Sequence, residues 1–301
     1  MKIINVKNNN FEPINESLCA AVGNFDGVHK GHQKLVEEAK KHNLKSAVLT
    51  FYPHPSVFLK NIKDYKLLTP IEHKAEIFKT LGIDYLIIVD FNNDVANLTK
   101  EEFIDLMKKL NIKSCVCGHD FSFGAKALGT PFDLLNHFET YIIPKYVIDN
   151  VRVSTSYIKE LLDDNNVIKA SDLLGRYYSI KGKVVTGSQK GRTIGFPTAN
   201  IEYNKYYLPK NGVYFVKVRL NDGYYFGMCN VGNNPTFNFS SEKRLEINIF
   251  DFESDLYGKD LEVFFIKNIR NEKKFKSKEE LIEQLNIDKA ECYRLFKELN
   301  C

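Results

Sequence analysis

At 301 residues, with 44% hydrophobic and 27% charged side chains, the chain has an ordinary globular composition and room for two domains of roughly 150 residues each. Its net charge of +4 comes from Lys and Arg interleaved with Asp and Glu, a balance that argues for small anionic substrates at least as well as for nucleic acid, and no nucleic-acid partner is expected. No run reaches the roughly 18 apolar residues of a membrane span and the N-terminus lacks a secretory signal, so a cytoplasmic protein with no membrane partner is expected.

In chain order, the apolar run at 18–23 ends on glycine and leads into amphipathic helix formers at 33–41, a strand, turn and helix. Strands follow at 46–51, 85–89 and 113–117, with helices at 71–81 and 100–110, the last behind Thr99 as N-cap. Apolar strands alternating with helices of about ten residues imply a parallel sheet covered on both faces. Helices at 155–163 and 167–174 then give way to strands at 176–186, 213–219, 224–231, 244–250 and 261–267, whose β-branched and aromatic content suits an antiparallel barrel or sandwich. Closing helices are read at 277–285 and 288–298, and the domain boundary near residue 174. Six cysteines lack the paired spacing of a zinc site and read as buried free thiols. Nothing in the sequence sets an oligomeric state.

Two glycine-rich constellations carry the chemistry. Gly23-Asn24-Phe25-Asp26-Gly27-Val28-His29-Lys30-Gly31-His32 joins the first strand to the first helix. Ligands of open α/β sheets collect beyond the carboxyl ends of the strands, and a helix start attracts anions. His29 and His32, three apart, can both turn toward one phosphate; the bland alternative is a glycine turn with two solvated histidines. In the second half, Gly187, Gly191 and Gly195 recur at intervals of four with Lys190 and Arg192 nearby, which permits a backbone wrap around phosphates or merely a flexible hairpin loop. Thr198 and Asn200, taken alone, are ordinary turn residues. Along 244–250, alternation puts Leu245, Ile247 and Ile249 on one face and Glu246 and Asn248 on the other, so Glu246 avoids the main core.

The first constellation resembles the nucleotidyltransferase motif of bacterial bifunctional riboflavin kinase/FAD synthetases. Thr50-Phe51-Tyr52-Pro53-His54-Pro55 resembles that family's T-F-x-P-H-P block, and Gly118-His119-Asp120-Phe121-Ser122-Phe123-Gly124 its G-x-D-F-x-F-G block. Ser154-Thr155-Ser156-Tyr157-Ile158-Lys159 is similar to its S-S-T-x-I-R segment, which closes over the ATP phosphates. Gly195-Phe196-Pro197-Thr198-Ala199-Asn200 resembles the riboflavin kinase signature, whose Thr and Asn help hold Mg²⁺, and 245–252 resembles the block with the catalytic glutamate. Arg270 matches an arginine near the flavin, with a surface salt bridge as its alternative. The resemblance implies a Rossmann-like α/β nucleotidyltransferase domain at 1–174 and an antiparallel β-barrel riboflavin kinase domain with C-terminal helices at 175–301.

It also implies ATP-dependent phosphorylation of riboflavin to FMN and adenylylation of FMN to FAD, with Mg²⁺ as cofactor. The expected catalytic residues are Glu246, His29 and His32. Nucleotide contacts fall to Gly23, Asn24, Phe25, Asp26, Gly31, Ser154, Thr155, Ser156, Gly187, Gly191, Arg192, Gly195, Phe196 and Pro197. Thr198 and Asn200 are the metal residues. His54 is a flavin contact or a rigid loop residue, and Asp120 a flavin contact or a turn residue. Departures are Lys159 and Ser122 in place of the usual arginines, and Asn233 and Asn234 where the family has Thr-Arg. Rival readings are a nucleotidyltransferase with another phosphate acceptor and a flavin- or nucleotide-responsive binding protein derived from such an enzyme.

Overall fold

The run Leu18–Val22 offers water neither face, and such a strand is stable only inside a sheet covered on both sides. In the computed structural model, which describes all residues except 9, 60, 61, 63, 188–190, 192, 193, 222, 234–242 and 300–301, this run is central. Strands β1 (Lys2–Val6), β2 (Leu18–Val22), β3 (Lys45–Tyr52), β4 (Tyr85–Asp90), β5 (Ile112–Gly118) and β6 (Glu139–Ile143) form a parallel sheet of order β1-β4-β3-β2-β5-β6. Ala21 pairs with Val48 on one side and Val116 on the other. The chain moves from β2 toward β3 and β4, then crosses back to β5 and β6, so the order reverses between β2 and β5. Their carboxyl ends open the crevice in which such sheets bind ligands.

Helix α1 (Lys30–Ala39) covers one face through Leu35 and Val36, together with Phe78 of the later helix 71–80. The short helix α2 (Pro55–Leu59) precedes that helix, α3 (Ile71–Thr80), and α4 (Asn93–Ala96) precedes α5 (Lys100–Lys109), which covers the opposite face through Phe103, Ile104 and Met107. Thr99 caps α5 as expected and forms a reciprocal capping box with Glu102. Helix α1 starts at Lys30, earlier than its apolar pattern, because His29 caps it. Strand β1 escaped the sequence reading because it is a short edge strand with three exposed residues. Helix α6 (Pro131–Leu134) and a two-stranded ribbon, β7 (Val147–Ile148) with β8 (Val151–Arg152), complete this part.

The chain divides into two compact units, Met1–Thr155 and Ser156–Cys301. The second contains nearly all of α7 (Thr155–Asp163), α8 (Val167–Leu174) and a closed antiparallel barrel. Its strands are β9 (Tyr178–Val185), β10 (Ala199–Glu202), β11 (Gly212–Leu220), β12 (Gly223–Asn233), β13 (Lys243–Ile249) and β14 (Asp260–Asn271), in order β10-β13-β12-β11-β14-β9. Closure removes the exposed edges of an open sheet. Helix α8 packs on β9 and β14, so the compact unit begins before residue 174, where the sequence pattern changes.

The C-terminus is one helix, α9 (Lys278–Leu299), and not the two expected. No Gly or Pro interrupts it. Asp288, just past the expected break at 286–287, lies within the helix, 1% exposed, and accepts from Gln284 one turn earlier and from Arg270 of β14.

Candidate active sites

The first site is built on the turn after β2. Phe25 (φ 52°), Gly27 (φ 87°) and Val28 (φ 42°) adopt left-handed backbone there, a conformation that side chains other than glycine resist unless surrounding groups impose it. Those groups are visible. The Asn24 carbonyl accepts from Thr50 Oγ1 at 3.1 Å and Lys74 Nζ at 2.7 Å. The Asp26 carboxylate accepts from the Thr69 backbone N–H at 3.1 Å, and the Asp26 carbonyl from Thr155 Oγ1 at 2.8 Å. Phe25 is buried edge-on against Phe78.

Beyond the turn, His29 caps α1, with Nδ1 accepting the His32 backbone N–H at 3.2 Å. A neutral His29 therefore carries its proton on Nε2. The two imidazoles stack with centroids 3.6 Å apart and 14° between planes, so the structure brings both expected histidines together at a helix start. Gly31 permits this, since a Cβ there would stand 3.1 Å from the His29 ring. Gly23 lies between β2 and the turn, its N–H bonded to the Leu49 carbonyl.

His54 and Asp120 lie beyond the carboxyl ends of β3 and β5. The His54 ring stacks on Tyr65 at 4.7 Å, and its Nδ1 accepts from the Ser56 N–H. Asp120 is ion-paired with Arg152 of β8. Burial pushes its carboxyl up, but the hydrogen bond and charge of Arg152 outweigh that and hold it below its usual value. Ser154 and Thr155 precede or begin α7, Thr155 being the one that grips the turn, and Ser156 is exposed. Lys159, standing where an arginine was expected, lies 5.0 Å from the Tyr207 ring centroid.

In the barrel, β10 and β13 pair with Asn200 directly opposite Glu246, so both side chains rise from the same face. Glu246 is three-quarters buried, 3.8 Å from Arg244. Leu245, Ile247 and Ile249 are buried, as alternation required; Asn248 is buried too, because its amide donates to the Pro197 carbonyl at 2.7 Å and ties the loop to β13. The Phe196 N–H bonds the Gly191 carbonyl, and Gly195 takes φ 80°.

A Cβ on Gly187 would fall 1.9 Å from Asn200 Nδ2, and one on Gly191 would fall 3.3 Å from Thr198 Oγ1 and 2.2 Å from the Phe196 carbonyl oxygen. The glycines thus let backbone lie against both expected metal residues. Arg192 and Lys190 fall outside the described residues, as does the block from Asn234 to Phe237. Among the described residues no cluster of His, Cys, Asp or Glu is arranged to hold a metal ion. Asn200, opposite Glu246, and Thr198, two residues before it, offer neutral oxygens of the kind that suit Mg²⁺ sharing its shell with substrate phosphates. Arg270 is held by Asp288 through Nε at 2.9 Å and Nη2 at 2.8 Å, so its salt-bridge reading gains over flavin contact.

Sequence reasoning missed Thr50 as a turn-holding group, and with it Thr69, Lys74 and Arg152. Only Lys74 left a signal, as a lysine on the Ile71 and Phe78 stripe of α3. Also missed was a cleft of about 660 Å³ whose lining includes Thr198, Ile247, Glu253, Asp255 and Tyr257. The five described cysteines are free and buried, and burial raises Cys19 and Cys117 to about 12 and Cys115 to about 11.

Comparison with known proteins matches residues 11–157 to the FAD synthetase family and residues 174–296 to the riboflavin kinase family. A bifunctional riboflavin kinase/FMN adenylyltransferase of Bacillus subtilis is 42% identical, over 93% of this chain and 92% of its own. The protein of the same description from Escherichia coli K12 is 36% identical over 98% of both chains. A crystal structure described as a macrolide-efflux protein from Streptococcus pneumoniae superposes with TM-score 0.86 at 35% identity, over 96% of this chain and 97% of that one. Among the described residues no helix is long and apolar enough to cross a membrane.

Proposed function

We propose that this chain, which belongs to the bifunctional riboflavin kinase/FMN adenylyltransferase family, phosphorylates riboflavin to FMN and then adenylylates FMN to FAD, using ATP in both steps. We assign the adenylylation to residues 1–174 and the phosphorylation to 175–301. The observation that carries the assignment is the presence of two unlike sites on one chain: a stacked histidine pair at a helix start and a carboxylate facing an asparagine across a barrel register.

For phosphorylation, Glu246 accepts the proton of the ribityl 5′-hydroxyl as that oxygen bonds to the γ-phosphorus and ADP departs. The glycines 187, 191 and 195 wrap the ATP phosphates. Thr198 and Asn200 would hold Mg²⁺, which when bound neutralises charge on the phosphates. For adenylylation, an FMN phosphate oxygen bonds to the α-phosphorus of ATP as the bond to the β-phosphate bridge breaks and pyrophosphate leaves. The turn 23–26, His29, His32 and Ser154 to Ser156 align the two phosphates and offset the charge that develops. We assign flavin contacts to His54 and Asp120 in the first unit, and give Arg270 the weaker claim in the second. Dependence on ATP and five buried free cysteines support a cytoplasmic location.

The test is incubation of purified protein with riboflavin, ATP and Mg²⁺, followed by chromatography of the flavins. Both FMN and FAD should form. FMN without FAD sinks the first-unit assignment, and no product at all favours a binding protein. Glu246→Gln should lower FMN formation by about 10²–10⁴-fold while FAD still forms from supplied FMN, and His32→Ala should do the converse.

A further inference from the structure

Lys74 is 3% exposed, and no other lysine is buried among the described residues. An ammonium withdrawn from water is tolerated only with partners, and an apolar residue at 74 would have continued the stripe of Ile71 and Phe78 at no such cost. The partners it has belong to the turn ahead of the histidine pair: the Asn24 carbonyl at 2.7 Å and the Asp26 carboxylate, whose charge acts on it. Thr50 donates to that same carbonyl from β3. Two donors from two elements thus converge on one peptide group, next to a residue with left-handed backbone.

We propose that Lys74 is a positioning residue for adenylyl transfer: with Thr50 it clamps the Asn24 carbonyl and sets the turn 24–28, so that His29 and His32 stand where the phosphates react. Its ammonium is bonded to the Asn24 carbonyl, so it acts through the backbone of the turn. This rests on the adenylyltransferase reading of the first unit.

The experiment measures FAD formation from supplied FMN and ATP, with kcat and the KM for ATP determined separately, in wild type, Lys74→Met, Lys74→Arg and Thr50→Val. Each protein is first checked for a cooperative thermal transition. Lys74→Met should lose about 100-fold in kcat, the order that a small misplacement of catalytic groups costs, with the KM for ATP moving less than about threefold. Lys74→Arg should regain about tenfold of that loss because it keeps a cation. Thr50→Val, which removes one neutral hydrogen bond, should lose about fivefold. Riboflavin phosphorylation, in the other unit, should be unchanged in all three.

A folded Lys74→Met protein within about threefold of wild-type kcat overturns the proposal, as does equal activity of the Met and Arg variants, since a 100-fold effect was expected of the charge. If Lys74→Met does not fold, Thr50→Val decides, and wild-type kcat there overturns it. A wild type that makes no FAD overturns the adenylyltransferase reading and this proposal with it; a wild type that makes FAD alongside unimpaired variants overturns the role of Lys74 alone.

Discussion

Burial gives Lys74 a pH dependence that surface lysines lack. Withdrawal from water lowers its pKa from 10.5 to about 8, although Asp26 pulls the other way. Between those values the unfolded chain binds a proton that the folded chain does not, so the lysine's contribution to stability rises with pH across that window and is flat below it, where both states are protonated. Relative to Lys74→Met, wild type should therefore gain stability from pH 8 upward, approaching about 3 kcal/mol over the full window. Denaturant midpoints of the two proteins at pH 7.5 and pH 10 check this, and a constant difference between them would refute it. At this scale the sequence was a good guide to residue type and a poor one to partners. The histidine pair was legible from its spacing, whereas Thr50, Thr69 and Lys74 come from separate segments and meet the turn only through folding.

Among the elements, β10 shows what local pattern leaves out. Thr198 and Asn200 have the composition of a turn, yet Ala199–Glu202 is a strand held between β9 and β13. Its place is set by pairing with distant strands, which no short window of sequence contains. The same holds for α9, read as two helices although Gln284 donates to Asp288 across the expected break and Arg270 of β14 holds that aspartate. The close approach of Gly187 to Asn200 yields a prediction about this element. Gly187→Ala would drive a methyl group into the Asn200 side chain, and should lower riboflavin phosphorylation by at least about tenfold at a stability cost of about 1–3 kcal/mol. FAD formation from supplied FMN should be untouched. Unaltered phosphorylation in that variant would show that Asn200 need not stay where the glycine permits it.

Over the whole molecule, two units with separate cores carry chemistries that share only ATP and the flavin. If FMN passes through solution between them, neither His32→Ala nor Glu246→Gln alone should make FAD from riboflavin, and a mixture of the two proteins should. FAD from the mixture at less than a few per cent of the wild-type rate would show that both sites must lie on one chain.

The sequence by itself determined the order of the two folds and most of their elements, because apolar periodicity and glycine-rich turns are local properties. Only the tertiary structure decided that Asn200 faces Glu246, that Arg152 reaches Asp120 and that a buried ammonium holds the Asn24 carbonyl. Each of these joins residues far apart in the chain. Such contacts are chosen by burial and pairing of the folded whole, not by the composition of any one segment.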